Sequence, residues 1–118
     1  MTYLSGKHPF VKLGVDLPKG GRVAIDCLID TGFSGGLVLP KEFQTHFPQN
    51  GFIESHFTLA NGSEVVVDTT YTTVKYNSRE KEVAVVFMGD SEALVGVEFL
   101  DQMRFCLDLK EYKVELDP

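Results

Sequence analysis

The sequence predicts an all-β fold in a single domain that spans residues 1–118. Apolar and polar residues alternate with a period of two in several short stretches, and turn-forming residues separate these stretches. Helical spacing is confined to two short segments. The chain contains no internal repeat, linker or low-complexity stretch, and its length suits one ordinary domain. A domain of many short strands is therefore expected.

The first predicted unit is a β-hairpin. Residues 10–17 alternate, and residues 18–21 (Pro-Lys-Gly-Gly) form a strong turn sequence. Residues 22–30 alternate again, with the apolar side chains in phase. The second strand of this hairpin therefore ends at Asp30.

A glycine-rich bend at residues 31–36 follows the hairpin and leads to a short apolar strand at residues 37–39. Pro40 ends that strand. The spacing over residues 41–47 predicts one or two helical turns, with Phe43 and Phe47 on one side.

A second hairpin is expected around Asn61-Gly62, which stands between the apolar runs 57–59 and 65–67. Asn-Gly between such runs favours a type I′ turn, because both central residues must accept a positive φ.

The rest of the chain predicts two further strand pairs and one helix. Residues 69–76 are expected to pair with residues 83–88, and residues 105–109 and 112–116 are expected to be short strands. Helical spacing over residues 97–104 predicts a short helix between these pairs.

Composition excludes several classes of function. The formal net charge is −6 and no basic patch is present, which argues against nucleic-acid binding. No apolar run approaches the roughly 18 residues that a membrane span needs, and the first ten residues lack a signal-peptide layout. A cytoplasmic protein without membrane contact is the expectation.

Neither the cysteines nor the histidines predict a metal site. Cys27 and Cys106 lie far apart without CxxC spacing, and we expect both to be packing residues. His8, His46 and His56 share no spacing that suits metal ligands. No metal is therefore predicted.

The sequence feature that carries most chemistry is Asp30-Thr31-Gly32, which follows an apolar strand. Taken alone, the tripeptide is compatible with a strand that ends in an ordinary loop, since Asp and Gly are common turn residues. Gly32 to Gly36 also matches the G-x-S-x-G pattern of serine hydrolases, with Ser34 as the nucleophile. That pattern requires a following helix and, further downstream, an Asp followed by a His. A strand is predicted next instead, and no Asp stands between Ser34 and the last histidine, His56.

Together with five other segments, this tripeptide resembles the retropepsin-like aspartic proteases. The apolar strand before Asp30 and residues 37–40 after it follow the family pattern, and Asn61-Gly62 stands where the tip of the family's flap hairpin is expected. Residues 85–90 look like the last barrel strand of the family, and residues 94–100 look like its apolar pair and glycine leading into a short helix. The resemblance covers roughly residues 10–108.

The resemblance implies a closed β-barrel with one short helix in its C-terminal half, which acts as a homodimer. Asp30 would be the catalytic residue that activates a water molecule, the Thr31 hydroxyl would tie the two catalytic loops together, and Gly32 would allow their close approach. Two adjacent carboxylates share one proton, so that one is the base and the other the acid. The chain has one Asp-Thr-Gly, so a second copy must supply the other carboxylate.

The resemblance also assigns residues around the substrate, an extended polypeptide that is cut without a cofactor. Asn61 and Gly62 would cover it as the flap, and Leu94 and Val95 are candidates for apolar walls. Phe33 stands where the family usually has Ala or Ser, which would narrow or reshape the pocket.

The family's dimer contacts are altered in this chain. Ser34 and Val97 occupy the positions where viral members pair an acid with an arginine. The terminal strands, residues 2–4 and 112–116, are therefore candidates for an intersubunit sheet. Two alternatives to the enzyme remain: a non-catalytic module that binds a peptide or partner in the same groove, and a monomeric β domain with a structural role.

Overall fold

The computed structural model describes residues 1–59 and 61–118, and strands dominate the described part of the chain. The strands are β1 (Thr2–Ser5), β2 (His8–Leu17), β3 (Gly21–Ile29), β4 (Leu37–Leu39), β5 (Ile53–Thr58), β6 (Glu64–Tyr76), β7 (Arg79–Phe87), β8 (Ala93–Val95), β9 (Arg104–Asp108) and β10 (Lys113–Asp117). One α-helix, α1 (Val97–Leu100), lies between β8 and β9, and 3-10 turns cover Lys41–His46 and Gln49–Gly51. The predicted all-β class is confirmed.

Eight strands form one sheet in the order β1-β2-β3-β8-β4-β7-β6-β5. An additional pairing of β2 with β6, through Gly14 with Lys75 and Val15 with Val74, joins the two sides of this sheet. The ring is therefore closed by six strands, in the order β2, β3, β8, β4, β7 and β6. β1 and β5 extend from it. This closure confirms the predicted β-barrel.

The core lies inside this ring and follows from the alternation within the strands. Val11, Leu13 and Val15 on β2 are fully buried, whereas Lys12 between them is exposed. Successive side chains of a strand point to opposite faces, so one face of β2 covers the core. Each such side chain contributes about 1.5–3 kcal/mol by leaving water.

Cys27 belongs to this core, as expected for a packing residue. Its side chain is fully buried, and burial raises the pKa of its thiol to about 12. Cys106 is half-buried on β9. Both thiols are free.

The hairpin that joins β5 to β6 differs from the predicted type I′ turn. Leu59 N–H donates to the Ser63 carbonyl (2.8 Å), and Gly62 N–H donates to the Leu59 carbonyl (2.9 Å). The paired ends of the hairpin are therefore Leu59 and Ser63, and Gly62 has a φ of +87°. This geometry is typical of a turn followed by a glycine bulge, in which glycine accepts the left-handed conformation.

The predicted helix over residues 97–104 is too long. The helix ends at Leu100, Gln102 has a φ of +68°, and Arg104 already belongs to β9, where it pairs with Asp117. Pairing with β10 offers this segment hydrogen bonds that a longer helix would forgo, so tertiary context overrides its helical spacing.

Both terminal strands are paired within the chain. β1 pairs with β2 from Thr2 opposite Val11 onward, and β10 pairs with β9. The Thr2 hydroxyl donates to the Val114 carbonyl (3.1 Å), so the two ends of the chain are neighbours. An intersubunit sheet would therefore have to use the outer edges of these strands.

Over residues 1–59 and 61–118, none of the helices combines the length and the apolar character that crossing a bilayer requires.

Candidate active site

The position of Asp30 is fixed by a parallel strand pair. β3 and β8 run side by side, with Ile29 opposite Val95 at their ends. The backbone N–H of Asp30 donates to the carbonyl of Val95 (2.9 Å), so the residue leaves the sheet directly at the end of β3. The parallel pairing thus places this carboxylate at one end of the barrel.

The backbone turns sharply after Asp30 and brings two amides back to it. Gly32 N–H donates to the carboxylate oxygen Oδ1 of Asp30 (2.9 Å), and Phe33 N–H donates to its carbonyl oxygen (3.1 Å). This arrangement is an Asx turn, in which the side chain mimics a backbone turn. Asp30 is half-buried, whereas Thr31 and Gly32 are exposed in the single chain.

The first turn of α1 holds the rest of this loop. Val97 N–H donates to the Phe33 carbonyl (2.9 Å), and Glu98 N–H donates to the Gly35 carbonyl (3.2 Å). Amide groups at the start of a helix have no partner within the helix, so they are free to bind the loop. The helix therefore fixes the loop that carries Asp30.

This contact requires glycine at position 96. A Cβ on Gly96 would lie 2.4 Å from the carbonyl oxygens of both Phe33 and Gly35. Real side chains do not approach backbone atoms so closely. The glycine before the helix, which sequence reasoning noted as part of a motif, thus allows the loop and the helix to meet.

Glu98 and Lys81 add side-chain contacts that sequence reasoning did not identify. Glu98 Oε1 accepts a hydrogen bond from Ala84 N–H on β7 (3.1 Å). Lys81 Nζ donates to the carbonyls of Glu98, Phe99 and Asp101, at 2.9, 3.0 and 2.9 Å. These hydrogen bonds hold α1 against β7.

Ser34 and Val97, which stand in place of the viral acid and arginine, are both exposed.

Asp30 faces a groove of about 450 Å³. The β5 end of the β5–β6 hairpin forms one side of the groove, and the Asp30 loop forms the other. The lining residues are Asp30, Gly32, Phe33, Ser34, Val38, Phe57, Thr58, Leu59, Met88, Gly89, Glu92 and Leu94. The groove is mainly apolar, and Asp30 and Glu92 supply its carboxylates.

The predicted site residues are only partly brought together. Asp30, Gly32, Phe33 and Leu94 line the groove. Val95, expected as a second apolar wall, is fully buried in the core instead. Leu94 and Val95 are consecutive on β8, so their side chains must point to opposite faces.

Asn61 and Gly62 lie at the end of the hairpin and do not belong to the groove lining. Asn61 Oδ1 accepts hydrogen bonds from the backbone N–H (3.0 Å) and hydroxyl (2.6 Å) of Ser63. In this structure the amide oxygen of Asn61 therefore stabilises the hairpin loop, and Phe57, Thr58 and Leu59 supply the hairpin's contribution to the groove.

The sequence analysis did not identify several of the residues that line the groove. Phe57 and Leu59 alternate with Thr58, which predicts a strand but does not indicate what it faces. Val38 and Met88 have the apolar character of ordinary core residues, and acidic residues such as Glu92 usually lie on a solvated face. Only the folded chain brings these six side chains to one groove.

Phe33 links the two sides of the groove. Its ring lies 5.8 Å from the ring of Phe57 on β5, with the planes tilted by 42°. Aromatic pairs at this separation attract each other beyond their shared burial. The loop of Asp30 and the β5–β6 hairpin are thus in contact through two rings.

Among residues 1–59 and 61–118, no three side chains of the types His, Cys, Asp and Glu come together in a way that could hold a metal ion.

Comparison with known proteins identifies the fold. No family model matches the sequence, and no curated protein matches it. Among solved structures, the chain is similar to the EIAV protease complexed with the inhibitor HBY-793, with a TM-score of 0.59 and 17% identity. The match covers 85% of this chain and 91% of the protease chain. At this identity the likeness shows that the chain has a retropepsin-like fold.

Proposed function

We propose that the chain is an aspartic endopeptidase that acts as a homodimer. The observation that carries the proposal is the position of Asp30, whose carboxylate faces a mainly apolar groove between its own loop and the β5–β6 hairpin. The similar fold belongs to a protein described as a protease in complex with an inhibitor. Fold alone does not determine activity, so the proposal rests on the carboxylate in the groove.

The proposed mechanism needs two copies of Asp30. Two carboxylates held about 3 Å apart cannot both be ionised comfortably, so they retain one shared proton. The ionised group removes a proton from water as the water attacks the peptide carbonyl, and the protonated group donates to the carbonyl oxygen. When the bond to nitrogen breaks, the group that took the water proton gives it to the departing amine, and the other group takes a proton from a hydroxyl of the tetrahedral intermediate, so that both return to their starting states.

The exposed loop is suited to meeting a second copy. Thr31 and Gly32 are exposed in the single chain, directly beside the half-buried Asp30. In the proposed dimer, the Thr31 hydroxyls tie the two loops together and the glycines permit close approach. A two-fold axis through this point makes a closed dimer with one active site.

The substrate would be an extended polypeptide. A peptide strand fits between the Asp30 loop and β5, where backbone groups can accept and donate hydrogen bonds. Val38, Met88 and Leu94 offer apolar contacts to its side chains. Water is the nucleophile, so the mechanism involves no metal or organic cofactor.

Cleavage of a peptide library by the wild type and by Asp30→Asn tests the proposal. We expect the variant to lose activity by at least about a thousand-fold, as is usual for removal of a catalytic group. Asp26→Asn is the matched control, because Asp26 is an exposed residue on β3, the strand that leads to Asp30, and pairs with Lys12 (3.8 Å). Equal activity of the wild type and Asp30→Asn would refute the mechanism.

Three further measurements refine the test. Activity should be highest in mildly acidic solution, because the pair functions only while it holds one proton. Sedimentation at micromolar concentration should give a dimer, and a monomer that cleaves peptides would contradict the shared dyad. Retained activity in Ser34→Ala would exclude a serine mechanism.

The second candidate is a peptide-binding module without catalysis. Phe33 favours it, because a large ring stands in the groove beside the carboxylate. In that case the wild type and Asp30→Asn would bind the same peptides, and neither would cleave them.

A further inference from the structure

The ring of Phe33 is held in place by the backbone of two glycines. A Cβ on Gly35 would lie 2.5 Å from Cζ of Phe33, and a Cβ on Gly96 would lie 2.6 Å from its Cδ2. Both distances are shorter than any real contact of a Cβ. The Phe33 ring therefore occupies the space that the Cβ of any other residue at position 35 or 96 would need. The ring therefore cannot move further towards the loop or towards α1.

Phe57 limits the ring on the groove side. Its ring centroid is 5.8 Å from that of Phe33, and both residues line the groove together with Asp30. Phe33 is also only three residues from Asp30, and its N–H donates to the Asp30 carbonyl (3.1 Å). The packed ring thus fills groove volume next to the carboxylate.

We propose, on the basis of the endopeptidase function above, that Phe33 determines specificity and restricts the substrate to small residues beside the cleaved bond. A side chain such as that of Gly, Ala or Ser fits without displacing the ring. A large side chain would have to push the ring against the glycine backbone or separate it from Phe57. Interiors are packed at crystal-like density, so either displacement is costly.

Binding of two peptides tests this without relying on catalysis. Both carry a non-hydrolysable reduced peptide bond, flanked by Ala in one and by Phe in the other. The wild type should bind the Ala peptide at least about ten-fold more tightly, a typical discrimination for a pocket of fixed size. In Phe33→Ala this ratio should fall to one or reverse.

Two variants control for indirect effects. Phe10→Ala removes a half-buried ring that stacks on Tyr3 (5.4 Å) outside the groove, and it should keep the wild-type ratio. Phe33→Leu retains apolar volume and should lie between the wild type and Phe33→Ala. It keeps the test valid if Phe33→Ala fails to fold.

The outcomes separate this inference from the proposed function. Size discrimination that disappears in the Phe33 variants supports the inference even if no peptide is ever cleaved, in which case the endopeptidase proposal fails alone. The inference is overturned if the wild type binds both peptides equally, binds neither, or shares its ratio with the Phe33 variants. Cleavage of a library without any size preference would likewise overturn it while leaving the endopeptidase proposal intact.

Discussion

Lys81 Nζ donates a hydrogen bond to the carbonyl oxygen of Phe99 (3.0 Å), which joins β7 to the last turn of α1. The same ammonium group also reaches the carbonyls of Glu98 and Asp101. The final carbonyls of a helix have no partner within it, so Lys81 satisfies two carbonyls that α1 leaves open, together with that of Asp101 just after the helix. The contact matters for the site because the first turn of α1 holds the Asp30 loop.

Replacing Lys81 by Met should lower the free energy of unfolding by about 1–3 kcal/mol, because charge-assisted hydrogen bonds are lost. Denaturant unfolding followed by circular dichroism measures the change. Lys75→Met is the control, since Lys75 is an exposed lysine on the neighbouring strand β6. Equal effects of the two substitutions would show that the contacts of Lys81 contribute no stability of their own.

Gly96→Ala should destabilise the fold by about 1–3 kcal/mol, the usual cost of forcing atoms into a packed site. The added Cβ meets two backbone carbonyls at 2.4 Å, and neither can rotate away. Urea unfolding provides the measurement.

Gly51→Ala is the matched control for this substitution, because a Cβ there meets only Thr70 Oγ1, at an ordinary 3.8 Å. Amide hydrogen exchange should also rise at Val97 and Glu98 in the Gly96 variant. Unchanged stability and exchange in Gly96→Ala would mean that the loop and helix are not held by this close contact.

Tyr76→Phe should cost about 0.5–1.5 kcal/mol, the net value of a typical hydrogen bond. The buried Tyr76 hydroxyl donates to the carbonyl of Leu116 (2.8 Å) and so ties β10 to the barrel. Thermal unfolding can compare this variant with Tyr71→Phe, which alters a tyrosine that is 56% exposed. The interpretation fails if both variants melt at the same temperature.

The contact between Asp16 and Arg22 leads to a prediction of how the free energy of unfolding depends on pH. The side-chain hydrogen bonds from Arg22 to Asp16, at 2.5 and 3.1 Å, lower the pKa of Asp16 below its ordinary value of 3.8. The Asp16 carboxylate therefore takes up a proton less readily in the folded state than in the unfolded state. The stability that the ionised Asp16 gains from Arg22 is present above pH 3.8 and is lost as the pH falls further.

Urea midpoints of the wild type and Asp16→Asn, measured from pH 7 to pH 2.5, test this dependence. The wild type should be more stable at pH 7 by less than about 1 kcal/mol, because the pair is partly exposed and screened by water. The difference should shrink below pH 4. A difference that stays constant over the whole range would contradict the assignment to this ion pair.

Sequence alone was sufficient to locate much of the barrel and its carboxylate. The alternation of Val11, Leu13 and Val15 predicted which face of β2 is buried, and this is confirmed. The apolar run before Asp30 predicted that the acid follows the end of a strand, as it does at Ile29. Such features are local, because a period of two and a turn sequence are set by neighbouring residues.

Local pattern could not predict which residues share the groove. Ala93, Leu94 and Val95 are all apolar, so the sequence does not show which of them faces the core, and Leu94 rather than Val95 lines the groove. The register of β8 between β3 and β4 decides this. A shift by one residue would exchange the two side chains.

The amino-acid sequence by itself determined the strands, their buried faces and the placement of Asp30 at a strand end, because these depend on residues close together in the chain. Only the tertiary structure decided that Phe33 meets Phe57, and that α1 holds the Asp30 loop. Those contacts join segments that are distant in sequence. Their geometry follows from strand pairing and close packing of the whole barrel, which no local periodicity encodes.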